Sequence, residues 1–125
     1  MKLIGSLAEG LLREQLLRSN AALNDGSDDR LVDALRAETA NVADAFVLDW
    51  VMDQGEDIYT VLVSPDEIVV VEVPRDDGEI LVVRRTLADY RRGCRKSARI
   101  KIAVALDLLA SRARDASRTR TTTRS

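Results

Sequence analysis

At 125 residues, with 46% hydrophobic and 32% charged side chains, the chain is sized for one soluble domain with a core of its own and is short for two. It contains no histidine and a single cysteine, which excludes imidazole-based zinc sites, Ser-His-Asp and Cys-His catalytic sets and an internal disulfide. The formal charge of −2 hides a division: residues 1–83 hold six basic and eighteen acidic side chains, whereas residues 84–125 hold thirteen basic and three acidic ones.

Leu3, Leu7, Leu11, Leu12, Leu16 and Leu23 recur at helical spacing ahead of Asn24-Asp25-Gly26, which predicts a first helix over 2–23 with a glycine stop. Glu9 and Arg13 break this apolar start before it could act as a secretory h-region, and no apolar run reaches the roughly 18 residues of a membrane span. We therefore expect an untargeted, cytoplasmic chain with no membrane partner. Ser27-Asp28-Asp29 offers an N-cap with acids in the first turn, and Leu31, Val32 and Leu35 continue a short second helix to about Glu38. Residues 39–45 carry no clear period. From Phe46 the period becomes two, with Phe46, Leu48, Trp50 and Met52 assigned to one face and Val47, Asp49, Val51 and Asp53 to the wetter one.

Gln54-Gly55-Glu56-Asp57 reads as a turn and Ile58 to Val63 as a second strand. Ser64-Pro65-Asp66-Glu67 has the residues of a type I turn, with proline at its second position. Ile68 to Val73 is a third strand, Pro74 to Gly78 turns the chain, and Glu79 to Arg85 is a fourth, so the strands assemble as an antiparallel meander. Thr86-Leu87-Ala88-Asp89 resembles a capping box with Asp in the place of Glu, and the helix it starts is interrupted at Gly93 before resuming through Ser97 to about Arg112. The remainder has five arginines between Arg112 and Arg124 and no large apolar residue, which predicts a disordered basic tail. The expected architecture is α+β: N-terminal helices, a four-stranded antiparallel meander and a C-terminal helix in one domain over 1–111, followed by a tail over 112–125.

Ile68 to Val71 and Ile80 to Val83 are apolar at every position, so both faces of the sheet need cover. We expect the N-terminal helices on one face and the C-terminal helix on the other or at an edge. A four-stranded sheet is wider than one helix, and residues 98–110 carry a broader apolar stripe than one contact needs. A homodimer that buries the spare sheet face or the C-terminal helix would resolve both excesses; a monomer with these positions packed internally is the alternative.

No catalytic residue, metal site or cofactor is assigned. Cys94 lies among Arg91, Arg92, Arg95 and Lys96, which would favour a thiolate, but a small half-buried residue at a helix break is the simpler assignment. Pro65-Asp66 followed by Glu72 resembles the start of the PD-(D/E)xK nuclease pattern, yet the position that the catalytic lysine would fill is Pro74. Glu72 is read as the solvent end of its strand face rather than as a partner of Arg84. There is no GxxxxGK[ST] or GxGxxG loop for nucleotides. Four aromatic residues, three of them in strands, are too few for an RRM-like or OB-like stacking surface.

Charge remains. Asp28, Asp29, Asp33, Asp76 and Asp77 mark an acidic surface suited to a basic protein partner. Arg91, Arg92, Arg95, Lys96 and Arg99 mark a basic one suited to phosphates, which the arginine tail would extend. The expected function is a non-catalytic, homodimeric protein-interaction or regulatory module of inhibitor, immunity or adaptor type. The alternative is a nucleic-acid-associated protein that uses the basic helix and tail. Pairing of the acidic and basic halves within the chain would weaken both.

Overall fold

In a computed structural model, residues 7–25, 30–39, 42–76 and 78–124 are described, with side chains between Glu9 and Asp115. Helices α1 (Leu7–Leu23) and α2 (Arg30–Glu38) precede a single 3-10 turn at Val42–Asp44. Strands β1 (Phe46–Asp53), β2 (Glu56–Ser64), β3 (Glu67–Pro74) and β4 (Leu81–Thr86) follow, and then α3 (Leu87–Arg92) and α4 (Lys96–Arg124). The strands form one antiparallel sheet in the order β1-β2-β3-β4. The expected α+β class and meander are therefore present. The N-cap expected at Ser27 to Asp29 and the first residues of the N-terminal helix lie outside the described residues.

Local chemistry explains the connections. Gln54 and Gly55 alone link β1 to β2, with Gly55 at φ 77°, a backbone region that glycine enters without a Cβ penalty. Thr86 caps α3 as expected, its hydroxyl accepting from Asp89 N at 3.1 Å. Gly93 ends that helix, and Cys94 and Arg95 bridge to α4.

Two apolar layers sandwich the sheet, but the helices divide between them differently from the expectation. Leu16 of α1 joins Leu87, Ile102, Val104, Ala105 and Leu108 of α3 and α4 over Phe46, Leu48, Leu62 and Ile68 on the first face. Leu31, Val32 and Leu35 of α2 cover Val61, Val63, Val69 and Val71 on the second, where Leu23 at the end of α1 also packs. The N-terminal helices thus lie on opposite faces, because α1 runs along the β1 edge and crosses it at its last turn. Burial of about ten aliphatic side chains per layer supplies the main stabilisation, at about 1.5–3 kcal/mol for each fully buried side chain before entropy is set against it.

The face assignment for β1 is also corrected. Phe46 pairs with Leu62 and Val47 with Val61, but the next pair is Asp49 with Thr60, so the register shifts at Leu48. This bulge places two successive residues, Leu48 and Asp49, against one partner and inverts the alternation beyond it. Phe46, Leu48, Asp49, Val51 and Asp53 consequently share the first face, whereas Val47, Trp50 and Met52 share the second.

The broad stripe of α4 is used inside the chain. Ile102, Val104, Ala105 and Leu108 are buried and Ala98, Ile100, Leu106 and Leu109 are half-buried, between α1 on one side and β1 on the other. Its excess width therefore has two intramolecular neighbours and asks for no second copy.

Candidate functional site

Along the first face the sheet carries successive rungs. Phe46, Leu62, Ile68 and Arg85 lie in the first; Asp49, Thr60, Val70 and Val83 in the second; Val51, Ile58, Glu72 and Leu81 in the third. Helices cover the first rung and half of the second, and the rest is bare. Val51 is 46% exposed, Leu81 53% and Val83 44%, and across the β1 edge Trp50 and Met52 reach 57% and 68%. Asp53 and Glu56 set carboxylates in the next rung, and Glu72 sits within the third, between Ile58 and Leu81, dividing the exposed Leu81 and Val83 from Val51. Glu72 is half-exposed, and Arg84 is occupied elsewhere, by Glu38 and Glu67, in agreement with the solvent assignment of Glu72.

The two sheet edges are treated unequally. The start of β1 is closed by α1: Val47 N–H donates to Ser19 Oγ at 3.0 Å, and the same hydroxyl donates to Leu16 O at 2.7 Å. Asn20 Nδ2 donates to Ala43 O at 2.8 Å and Ala45 O at 2.9 Å, which fixes the chain entering the strand. β4 is the other edge strand, and among the described residues no further strand pairs with its outer side, where Leu81 and Val83 are exposed.

Many of the acids meet cations within the chain. Arg13 pairs with Glu9 and Asp107, Arg75 with Asp57, Arg84 with Glu38 and Glu67, and Arg112 approaches Asp44. Of the acids singled out in the sequence, Asp28, Asp29 and Asp77 lie outside the described residues. Asp33 is exposed on α2, and Asp76 is exposed in the β3–β4 loop with Oδ1 accepting from Gly78 N at 2.8 Å. That loop is also held by Arg30, whose guanidinium donates to the carbonyls of Pro74, Asp76 and Gly78.

The basic residues divide into two groups at the α3–α4 corner. Arg91, Arg92 and Arg99 surround a shallow depression of about 320 Å³ with Ala88, and Arg99 Nε donates to Arg91 O at 3.3 Å. Arg95 instead lines a deeper pocket with Lys101, Asp49 and Tyr90; Lys96 is exposed in the first turn of α4. Arg92 pairs with Asp89, whereas Arg91, Arg95, Lys96 and Arg99 have no carboxylate within 4 Å among the described residues. Sequence reasoning passed over Asp49 and Tyr90, which only the β1 bulge and the bend at Gly93 bring to one pocket.

Cys94 is half-buried at that bend and donates its thiol to Tyr90 O at 3.2 Å. Burial pushes the Tyr90 phenol up to about 12, with Cys94 and Asp49 adding to the shift; burial pushes Lys101 down, opposed by Asp49. No helix among the described residues is long and apolar enough to cross a membrane. Comparisons with protein-family models, curated proteins and solved structures find no match for this chain.

Proposed function

We propose that this chain is a non-catalytic protein-interaction module of the cytoplasm that pairs with a second copy through the uncovered end of its sheet. The observation that supports this reading is the set of exposed apolar side chains at the uncovered end of the sheet, Leu81 and Val83 on β4 and Val51 on β1, with Glu72 between them in the third rung and Asp53 and Glu56 beyond it. Exposed apolar surface with a polar rim is costly in solution and marks association sites. An open edge strand is likewise a template for another strand.

A two-fold antiparallel pairing with Val83 opposite its own copy sets Leu81 against Arg85 and Val82 against Arg84. No like charges are then opposed. Such a dimer joins the Leu81 and Val83 side chains of the two copies into one apolar stripe and leaves Glu72, Asp53 and Glu56 beside it, available to a basic protein. Light scattering at micromolar concentration should give twice the chain mass, and Leu81→Lys with Val83→Lys should give the monomer mass with unchanged far-UV circular dichroism. A wild-type monomer, or a dimer indifferent to both lysines, would reject the sheet-edge assembly.

The second reading is nucleic-acid association, and the observation favouring it is the set of cations Arg91, Arg95, Lys96 and Arg99 on one corner, none with a carboxylate within 4 Å among the described residues. Phosphate binding by such a set would reveal itself as steep salt dependence.

A further inference from the structure

A pocket of about 450 Å³ opens where the first turns of α4 pass over the β1 bulge. Its floor is apolar, with Leu48 and Ile102 buried and Leu12 of α1 half-buried beside them. Arg95 and Lys101 bring positive charge to it and Asp49 negative charge. That size, with an apolar floor and about as much polar as apolar wall, suits a small amphipathic molecule.

The cations are not used up within the chain. Neither Arg95 nor Lys101 has a carboxylate within 4 Å among the described residues. Burial lowers the Lys101 amine, and Asp49 offsets this only in part, so an arriving anion would relieve an unfavourable ammonium. Arg95 also stands at the N-cap position of α4, its carbonyl accepting from Arg99 N at 3.0 Å. Its side chain has no acceptor atom, and the first turn contains no acid. Neither the cap residue's side chain nor a first-turn carboxylate therefore engages the first N–H groups of the helix, on the end where the helix dipole favours negative charge.

We propose that this pocket binds an organic monoanion, its carboxylate held by Arg95, Lys101 and the first turn of α4 and its apolar body laid against Leu48 and Ile102. Asp49 sets the charge state of the ligand. Two cations and one anion leave a single net positive charge in the lining, which one carboxylate neutralises, whereas a dianion such as inorganic phosphate would leave an excess negative charge and must lose far more hydration to enter. The apolar floor adds a preference for a hydrocarbon body that a bare oxyanion cannot satisfy.

The full chain should be titrated at low salt with octanoate, octanol and inorganic phosphate, followed by amide NMR. Octanoate should saturate with shifts centred on Leu12, Leu48, Asp49 and residues 95–102, and should bind at least roughly tenfold more tightly than octanol, as a charge-assisted contact implies. Lys101→Met and Arg95→Gln should each weaken octanoate by about tenfold and leave octanol unchanged. Asp49→Asn should tighten octanoate and admit phosphate. Equal binding of octanoate and octanol, or phosphate competing with octanoate in the unaltered chain, would overturn the assignment. Shifts centred on Leu81 and Val83 would move the binding to the bare sheet face and equally overturn it. Assembly state is read by mass and ligand binding by these shifts, so the pocket and the dimer stand or fall separately.

Discussion

Among the titratable groups of the described residues, Tyr90 is the one whose ionisation the fold shifts most. Half-buried beside Thr60, Cys94 and Asp49, its phenol is raised from 10.0 to about 12, first by burial and then by the neighbouring Cys94 and Asp49. A group that holds its proton more tightly when folded contributes stability fully below its unfolded pKa. That contribution is lost as the pH climbs through the folded value. The window for Tyr90 is thus pH 10 to about 12. Lys101 has the opposite slope: its amine is lowered by burial, so its contribution is present above its unfolded value and declines as the pH falls through the folded one. Spectrophotometric titration should resolve a late tyrosine step, and Tyr90→Phe should remove that step and raise the midpoint of alkaline unfolding. A titration in which Tyr90→Phe removes no late step would contradict the burial of the Tyr90 hydroxyl.

At the scale of elements, the seam between α1 and the start of β1 decides how the sheet is covered. Asn20 is buried; its amide donates to Ala43 O and Ala45 O, and its Oδ1 accepts from Arg112. Asn24 adds a bond to Val42 O at 2.9 Å. These bonds satisfy carbonyls of a linker whose described residues include the 3-10 turn at Val42–Asp44, and they tie α1, the linker and α4 together. Asn20→Ala would take the side-chain donor from Ala45 O, remove one of the two donors to Ala43 O and open a small void, costing about 2 kcal/mol in urea denaturation. Asn24→Ala, at a more exposed position, should cost about 1 kcal/mol. A change below about 0.5 kcal/mol for Asn20→Ala, the level of an ordinary surface substitution, would show that the seam does not hold α1 in place.

Over the whole molecule, the opposing charges of the two halves meet only in part. Arg84 and Arg112 reach acids of the N-terminal two-thirds, Glu38, Glu67 and Asp44, whereas the corner bearing Arg91, Arg95, Lys96 and Arg99 keeps its charge. Arg112 also donates to Ala43 O and Asn20 Oδ1 and lies 5.5 Å from the Phe46 ring centroid, so a truncation that tests the tail should follow Asp115 rather than Ser111. We predict weak binding of duplex DNA at low salt that falls steeply as salt rises and is reduced by Arg91→Ala with Arg95→Ala. Loss of binding on truncation after Asp115, with the double variant unaffected, would assign it to the arginine tail and remove the corner from any nucleic-acid role.

The hydrophobic periods, the Pro65-Asp66 and Gln54-Gly55 turns and the Thr86 cap, all short-range features, by themselves determined four strands in meander order and the break before α4. The continuous apolar runs in β3 and β4 also determined that both sheet faces would demand cover. Three things were decided only in the tertiary structure: the split of α1 and α2 across the sheet, the inversion of faces in β1, and the convergence of Asp49, Tyr90, Arg95 and Lys101. Each depends on contacts between residues far apart in the chain. A bulge at Leu48 costs one residue of register and has no signature in an alternating apolar strand, because Leu48 and Asp49 obey the period until the partner strand is aligned. The cover of a two-sided sheet is likewise set by where the Asn20 seam anchors α1, which helical spacing alone does not encode.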